Sequence, residues 1–249
     1  MDELDVFEAI YSCRSLRRFK PDPVPDRLLA KILGAAIQAP CGGNEQNWLF
    51  VVVRSEEQRR KLGDIYRRAG AILASWYEKV DKPKHMSAAE YRRFLTSGLH
   101  LHQHLAQAPV LVVACLRLEG LASVPADHPR EPQLAMFDSV PWMAGASIYP
   151  AVQNLILACR AVGLGTCLTT NHLLFEEEVK EVLGLPPQYR TFALLPIGYP
   201  LNNFGPVKRK PLSEVVALDE FGQTAAFERP QPDLPTRDKN GGSVPCGLV

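Results

Sequence analysis

The 249-residue chain has no apolar run that approaches the roughly 20 residues of a membrane span, its longest candidate being broken by Arg160 and Gly163. It also has almost no net charge, with 28 basic against 27 acidic residues and a formal +1. No global field therefore attracts nucleic acid or an anionic membrane, and any anion site is local. Cysteine is sparse and unpaired in pattern: Cys13, Cys41, Cys115, Cys159, Cys167 and Cys246 include no Cys-x-x-Cys spacing. That argues against a disulfide framework or zinc centre and fits a reducing, cytoplasmic setting, with Cys115, Cys159 and Cys167 as small core residues in apolar stretches. Basic residues are missing where a secretory signal would need them, since Asp2, Glu3 and Asp5 stand there instead. No internal repeat is present.

With 46% hydrophobic residues the chain suits one globular domain, expected over residues 1–221. Residues 222–249 are rich in Pro, Gly and polar residues and are expected to form a tail without a core of its own. Helical spacing over 3–12 (Leu4, Phe7, Ile10, Tyr11) is followed by a basic cluster and an extended connector carrying Pro21, Pro23 and Pro25. Asp26 is a candidate N-cap for a helix through Ala39 with Leu28, Leu29, Ile32, Leu33 and Ala36 as its stripe. Pro40 stops that helix, Gly42-Gly43-Asn44 makes a loop, and Trp48–Val53 reads as a buried strand. Residues 56–105 read as helical with a break at 81–87, and Pro109–Leu116 as a second buried strand. The proline-rich stretch 119–141 reads as a long loop. A helix is expected over 149–162, with Pro150 in its first turn, Gly163 as its C-cap and apolar residues nearly all round. Short strands over Gly165–Thr170 and Phe192–Ile197 flank a helix at 175–183, and a last element runs from Pro211 to about Leu218.

Four segments carry candidate chemistry. Arg14-Ser15-Leu16-Arg17-Arg18-Phe19 offers guanidinium forks and a hydroxyl suited to a phosphate monoester, although a basic run is more commonly a solvated turn. Lys208-Arg209-Lys210 is a second basic cluster of the same ambiguity. Cys41-Gly42-Gly43-Asn44-Glu45-Gln46 combines glycines that let backbone approach a flat ligand with amides that match a uracil-like edge; a plain helix-to-strand turn would use the same residues. Gly163-Leu164-Gly165 follows a helix rather than opening one, which is the wrong order for a dinucleotide fingerprint.

Taken together, "RSLRRF", "AIQAPCGGNEQNWLFVVV", "PAVQNLILACRAVGLGTCLTT", "LLPIGYP" and "VKRKPLSEVV" occur in an order that resembles the nitroreductase family, including its iodotyrosine deiodinase branch, over roughly residues 5–218. The resemblance implies an α+β fold with a central mixed, largely antiparallel sheet flanked by helices, a homodimer, and one FMN per subunit at the subunit interface. It places Arg14 and Ser15 at the FMN phosphate and Arg17 beneath the pyrimidine edge of the flavin, where reduction puts negative charge. Cys41, Gly42, Asn44 and Gln46 match the family's polar loop before the tryptophan. Leu168, Thr169 and Thr170 match the segment facing flavin N5, and Arg209, with Lys208 and Lys210 as helpers, matches the late phosphate-binding arginine. Two departures stand out: Cys13 replaces a first arginine of the opening motif, and Cys41 replaces the usual serine.

The implied activity is an FMN-dependent NAD(P)H oxidoreductase that reduces nitroaromatic, quinone or related small acceptors in two half-reactions, with no dedicated catalytic side chain and no metal. A dehalogenase or oxidase on the same scaffold, and a non-catalytic flavin-binding protein, are the alternatives. No nucleic-acid or membrane partner is expected. His100 and His104 are spaced i, i+4, with His102 between them, but no third ligand lies nearby, so solvated or core-edge histidines are expected. Trp76, Tyr77, Tyr91 and Phe94 are expected mainly to pack in a core, the other reading being that they shape a pocket over the flavin.

Overall fold

Alternation along residues 110–116 decides the layering. Successive side chains of a strand point to opposite faces, so an unbroken apolar run must be covered on both sides. In a computed structural model, which describes residues 4–118, 130–224 and 227 (only the backbone for 130–141), this run is strand β2, Val110–Arg117. Val110, Val112, Ala114 and Leu116 enter one core cluster, while Leu111, Val113 and Cys115 enter another on the opposite face.

Around it are β1 (Trp48–Val53), β3 (Gly165–Thr166) and β4 (Tyr189–Gly198) in the order β1-β2-β4-β3, and every pairing is antiparallel. One face is covered by α2 (Asp26–Ala36) and α5 (Arg130–Ala161), through Leu29, Ile32, Ile148, Val152 and Leu155. The other is covered by α3 (Glu56–Tyr77), α4 (Ala88–His104) and α6 (Glu176–Leu183), through Leu62, Ile65, Tyr66, Leu101 and Val179. This is the α+β architecture expected, and the six helices among the described residues include α1 (Val6–Ser12).

Local chemistry sets the helix ends. Ser55 caps α3 by accepting the Gln58 N–H, and Ser87 caps α4 in a reciprocal box with Glu90. Gly163, at φ 79°, ends α5, and the Leu164 N–H returns to the Cys159 carbonyl at 2.8 Å. Three expectations are corrected. Asp26 is the first residue of α2 rather than its cap, Pro25 holds the cap position, and the Asp26 carboxylate pairs with Arg54. Residues 130–141, expected in a loop, have helical backbone as the start of α5, so Pro150 lies inside that helix. Its missing N–H forgoes the bond to the Ala146 carbonyl, a defect that burial of Ile148, Ala151 and Val152 outweighs. The element expected from Pro211 to Leu218 is a single turn, Leu212–Glu214. The remainder of the 119–141 stretch, and nearly all of the expected tail from 225, lie outside the described residues.

The chain divides into a larger unit, 15–203, which holds the whole sheet, and a smaller one formed by the described residues of 1–14 and 204–227. In the larger unit, β3 is joined by the segment that opens it: the Leu16 N–H donates to the Thr166 carbonyl at 3.0 Å and the Lys20 N–H to the Tyr199 carbonyl at 2.8 Å. Gly165 permits this approach, since a Cβ there would lie 2.9 Å from Pro200 Cβ and 3.2 Å from Leu16 Cβ.

Candidate active site

Between α3, α4 and the turn after β3 lies a cleft of about 360 Å3 in the larger unit. Its walls are mostly apolar, with Tyr77, Phe94, Leu95, Leu99 and Leu168, and its floor holds Tyr66, His102, Thr169 and Asn171. Arg17 reaches it from the opening segment. The guanidinium is half-buried and donates through NH1 to Ser97 Oγ at 3.2 Å; among the described residues it has no carboxylate partner. An uncompensated cation in an apolar wall favours a ligand that is negative or becomes so.

The floor is a connected polar network. Tyr66 OH and Thr169 Oγ1 lie 2.8 Å apart, and Asn171 Nδ2 donates to His102 Nε2 at 2.9 Å and to Tyr66 OH at 3.4 Å. Thr169 is anchored to β4 by reciprocal backbone bonds with Leu194 of 2.9 and 3.0 Å. Burial pushes the Tyr66 hydroxyl up to about 12, its bond to Thr169 opposing, so it stays protonated at neutral pH. Burial lowers His102, and the Arg17 charge lowers it further, leaving a neutral imidazole. The neighbouring His172 is buried, has no hydrogen-bond partner at either ring nitrogen among the described residues, and is held down at about 4 by that burial against the opposing pull of Glu176.

A second cavity, of about 500 Å3, lies against the other sheet face, lined by Cys41, Gly42, Gly43, Leu116, Ala144 and Ser147 among others. Ser147 clamps the loop to α5: its Oγ accepts the Gly42 N–H at 3.1 Å and its carbonyl accepts Trp48 Nε1 at 2.8 Å. Cys41 Sγ takes the Gln46 N–H at 3.3 Å, the contact its usual serine counterpart could make with a hydroxyl. Asn44 (φ 53°) and Gln46 (φ 50°) both hold left-handed backbone with exposed side chains. Such conformations cost on the order of 1 kcal/mol or more each and concentrate at functional loops.

The structure thus brings Arg17, Leu168 and Thr169 to one cleft and Cys41 and Gly42 to another. Thr170 follows as the residue before the turn at Asn171–Phe175, Ser15 is exposed, and Asn44 and Gln46 project from the loop. In the smaller unit, Arg14, Lys208 and Arg209 are exposed; Arg209 NH1 donates to the Lys208 carbonyl at 3.1 Å, and Lys210 pairs with Glu214 at 3.4 Å.

No local motif marked Tyr66 or Asn171, whereas His102, expected as a solvated or core-edge histidine rather than a metal ligand, is partly buried. His102 points to the cleft, whereas His100 and His104 stack at 4.2 Å on another side of α4, where His104 Nδ1 donates to the His100 carbonyl. Among the described residues no group of three metal-ligating side chains occurs. The aromatic expectation is corrected: Trp76 and Phe94 are exposed, and Tyr77 and Phe94 line the cleft. Burial raises Cys115 to about 12 and Cys167 to about 11, which makes both thiols inert core residues.

Comparison with known proteins agrees with this geometry. Residues 10–199 match the Nitroreductase family. A protein named NADH dehydrogenase from Thermus thermophilus is 30% identical over 220 residues, covering 86% of this chain and 95% of its own. Among solved structures, a BluB-like flavoprotein from Clostridium difficile 630 superposes with TM-score 0.64 at 26% identity, covering 87% of this chain and 100% of that one. Oxidised iodotyrosine deiodinase bound to FMN and 3-iodo-L-tyrosine shares the fold, with TM-score 0.60 at 24% identity over 83% of this chain and 95% of that one. No helix among the described residues is long and apolar enough to cross a membrane. With the family match spanning most of the chain and the fold matching family structures throughout, this chain belongs to the nitroreductase family, a family of oxidoreductases.

Proposed function

We propose that this protein is an FMN-dependent NAD(P)H oxidoreductase that reduces nitroaromatic, quinone or related small acceptors. The observation that carries the reading is the uncompensated Arg17 guanidinium in the wall of an apolar cleft that also holds Leu168 and Thr169. Such a donor suits the edge of a flat ring that gains negative charge on reduction. FMN bound there would supply hydride chemistry, accepting from reduced nicotinamide and giving to an acceptor at the same face.

The chain's own residues bind, orient and exclude water. Arg17 holds the pyrimidine edge, and the Leu168–Thr170 backbone supports the ring. The apolar cleft walls strengthen both interactions by lowering the local dielectric. Arg14, Ser15, Lys208 and Arg209 are assigned to the phosphate on the family resemblance. The loop carrying Cys41, Gly42, Asn44 and Gln46 lies in a different cavity from Arg17, on the other sheet face of the same chain. On the family resemblance we assign it to the cleft of a second copy in a homodimer, a reading that the two separate cavities support. The exposed Trp142 (81%) and Met143 (43%), beside that second cavity on α5, supply apolar surface for such contact.

Steady-state turnover tests the reading: with NADH or NADPH as donor, purified FMN-loaded protein should reduce a quinone or nitroaromatic. Tight FMN without turnover across such acceptors would replace it with a non-catalytic flavin-binding role. A reductive dehalogenase is the second reading, favoured by the fold likeness to iodotyrosine deiodinase. Iodide release from 3-iodotyrosine by the reduced protein separates the two.

A further inference from the structure

His102 is held from three sides. Gly70 of α3 makes room for it: a Cβ there would lie 2.4 Å from His102 Cγ and 2.6 Å from its Cδ2. The Tyr66 ring packs against the imidazole with centroids 4.9 Å apart and planes inclined at 32°. Asn171 Nδ2 donates to His102 Nε2 at 2.9 Å. An amide N–H can only donate, so Nε2 accepts, and the proton of the neutral ring sits on Nδ1. Nδ1 has no partner among the described residues. The rest of the cleft around it is mainly apolar, with Phe94, Leu95 and Leu99 from the same helix. A fixed donor in an apolar cleft discriminates strongly, because a ligand without a matching acceptor leaves that donor unpaired.

We propose that His102 is a specificity-determining residue, whose fixed Nδ1–H selects planar oxidising substrates that present a carbonyl or nitro oxygen. The proposal rests on the reductase reading, which makes this cleft the place where the acceptor binds. The contribution is a hydrogen bond and not a proton transfer, since giving up Nδ1–H would turn a neutral imidazole into an imidazolate. The proton that completes reduction of the acceptor comes from solvent.

The test is a binding titration of FMN-loaded protein with 2,3-dimethyl-1,4-naphthoquinone and with 2,3-dimethylnaphthalene, the same ring system without the oxygens. The quinone positions that would react with thiols are blocked in this probe. Wild type should prefer the quinone. His102→Phe, which keeps a ring over Gly70 but has no donor, should lose about two- to tenfold in quinone affinity while binding the hydrocarbon as before. His102→Gln, which keeps an N–H donor, should recover part of the preference. The 15N resonance of His102 Nδ1 should shift on quinone binding and stay still with the hydrocarbon. An unchanged quinone preference in His102→Phe, or an equal loss for both ligands, overturns the assignment. Nicotinamide bleaching of the flavin, followed on the same preparations, reports separately on the reductase reading. A variant that bleaches normally yet keeps the quinone preference refutes the role of His102 alone.

Discussion

Replacing His172 by Leu should make the protein more resistant to acid. His172 is 1% exposed, neither ring nitrogen has a hydrogen-bond partner among the described residues, and burial holds the imidazole at about 4 in the folded chain. In the unfolded chain an ordinary histidine titrates near 6.5. The folded value is lower, so between these two values the unfolded state binds the proton and the folded state does not. Stability is therefore fully present above about pH 6.5 and is lost as pH falls towards 4. At about 1.36 kcal/mol per unit, His172 alone removes about 2.5 kcal/mol between roughly pH 7.5 and pH 4.5. His172→Leu abolishes this term and also removes two unsatisfied buried nitrogens, worth on the order of 1–3 kcal/mol. The assay is urea denaturation of both proteins at a series of pH values, read as the difference between their unfolding free energies. Glu176, the nearby carboxylate, titrates in both proteins and largely cancels. The variant should gain on wild type steadily as pH falls through this window. Two curves that fall in parallel would refute the reasoning.

Other perturbations reach different parts of the account. Arg14→Ala and Arg209→Ala should each weaken FMN binding by roughly 1–3 kcal/mol, the loss of a charge-assisted contact, as measured by fluorescence titration of the apoprotein. Unchanged affinity in both would remove these residues from the phosphate site. Gly70→Ala places a methyl 2.4 Å from His102 Cγ, so despite the better helix propensity of alanine it should lower stability by about 1–2 kcal/mol. In a His102→Ala background the same change should cost less but still destabilise, because the Cβ kept at position 102 would lie 2.6 Å from the new methyl, which a double-mutant cycle by thermal unfolding would show. Glu176→Gln weakens the tie of α6 to Arg190 and Thr191 on β4 and should cost about 2–3 kcal/mol in denaturant titration, Arg190 being partly solvated. Mixed dimers of Arg17→Ala with a Gly42→Val partner should recover flavin binding at half the sites if loop and cleft come from different copies.

Much of the layering was legible in residue order. The apolar runs at 48–53 and 110–116 are strands because β-branched and leucine side chains fill both faces of a covered sheet. Gly163 ends α5 where a left-handed residue was expected. The start of α5 was not legible, because Pro132 and Pro141 read as loop punctuation while the adjoining helix is held by tertiary burial of Ala144, Ile148 and Val152. At the site, the local motifs marked Arg17, Thr169 and the Cys41–Gln46 loop. They could not show that these residues occupy two cavities on opposite sheet faces, since no local pattern encodes that separation. Tyr66, His102 and Asn171 come from three distant elements, and only folding makes them one network.

The central claim is most directly tested by the visible absorbance of the purified protein during anaerobic titration with NADH and NADPH. The expected result is a flavin band whose released chromophore is FMN, bleached by at least one of the two nucleotides and restored on adding a quinone. A protein that takes up no FMN, or whose bound FMN neither nucleotide bleaches, would contradict it.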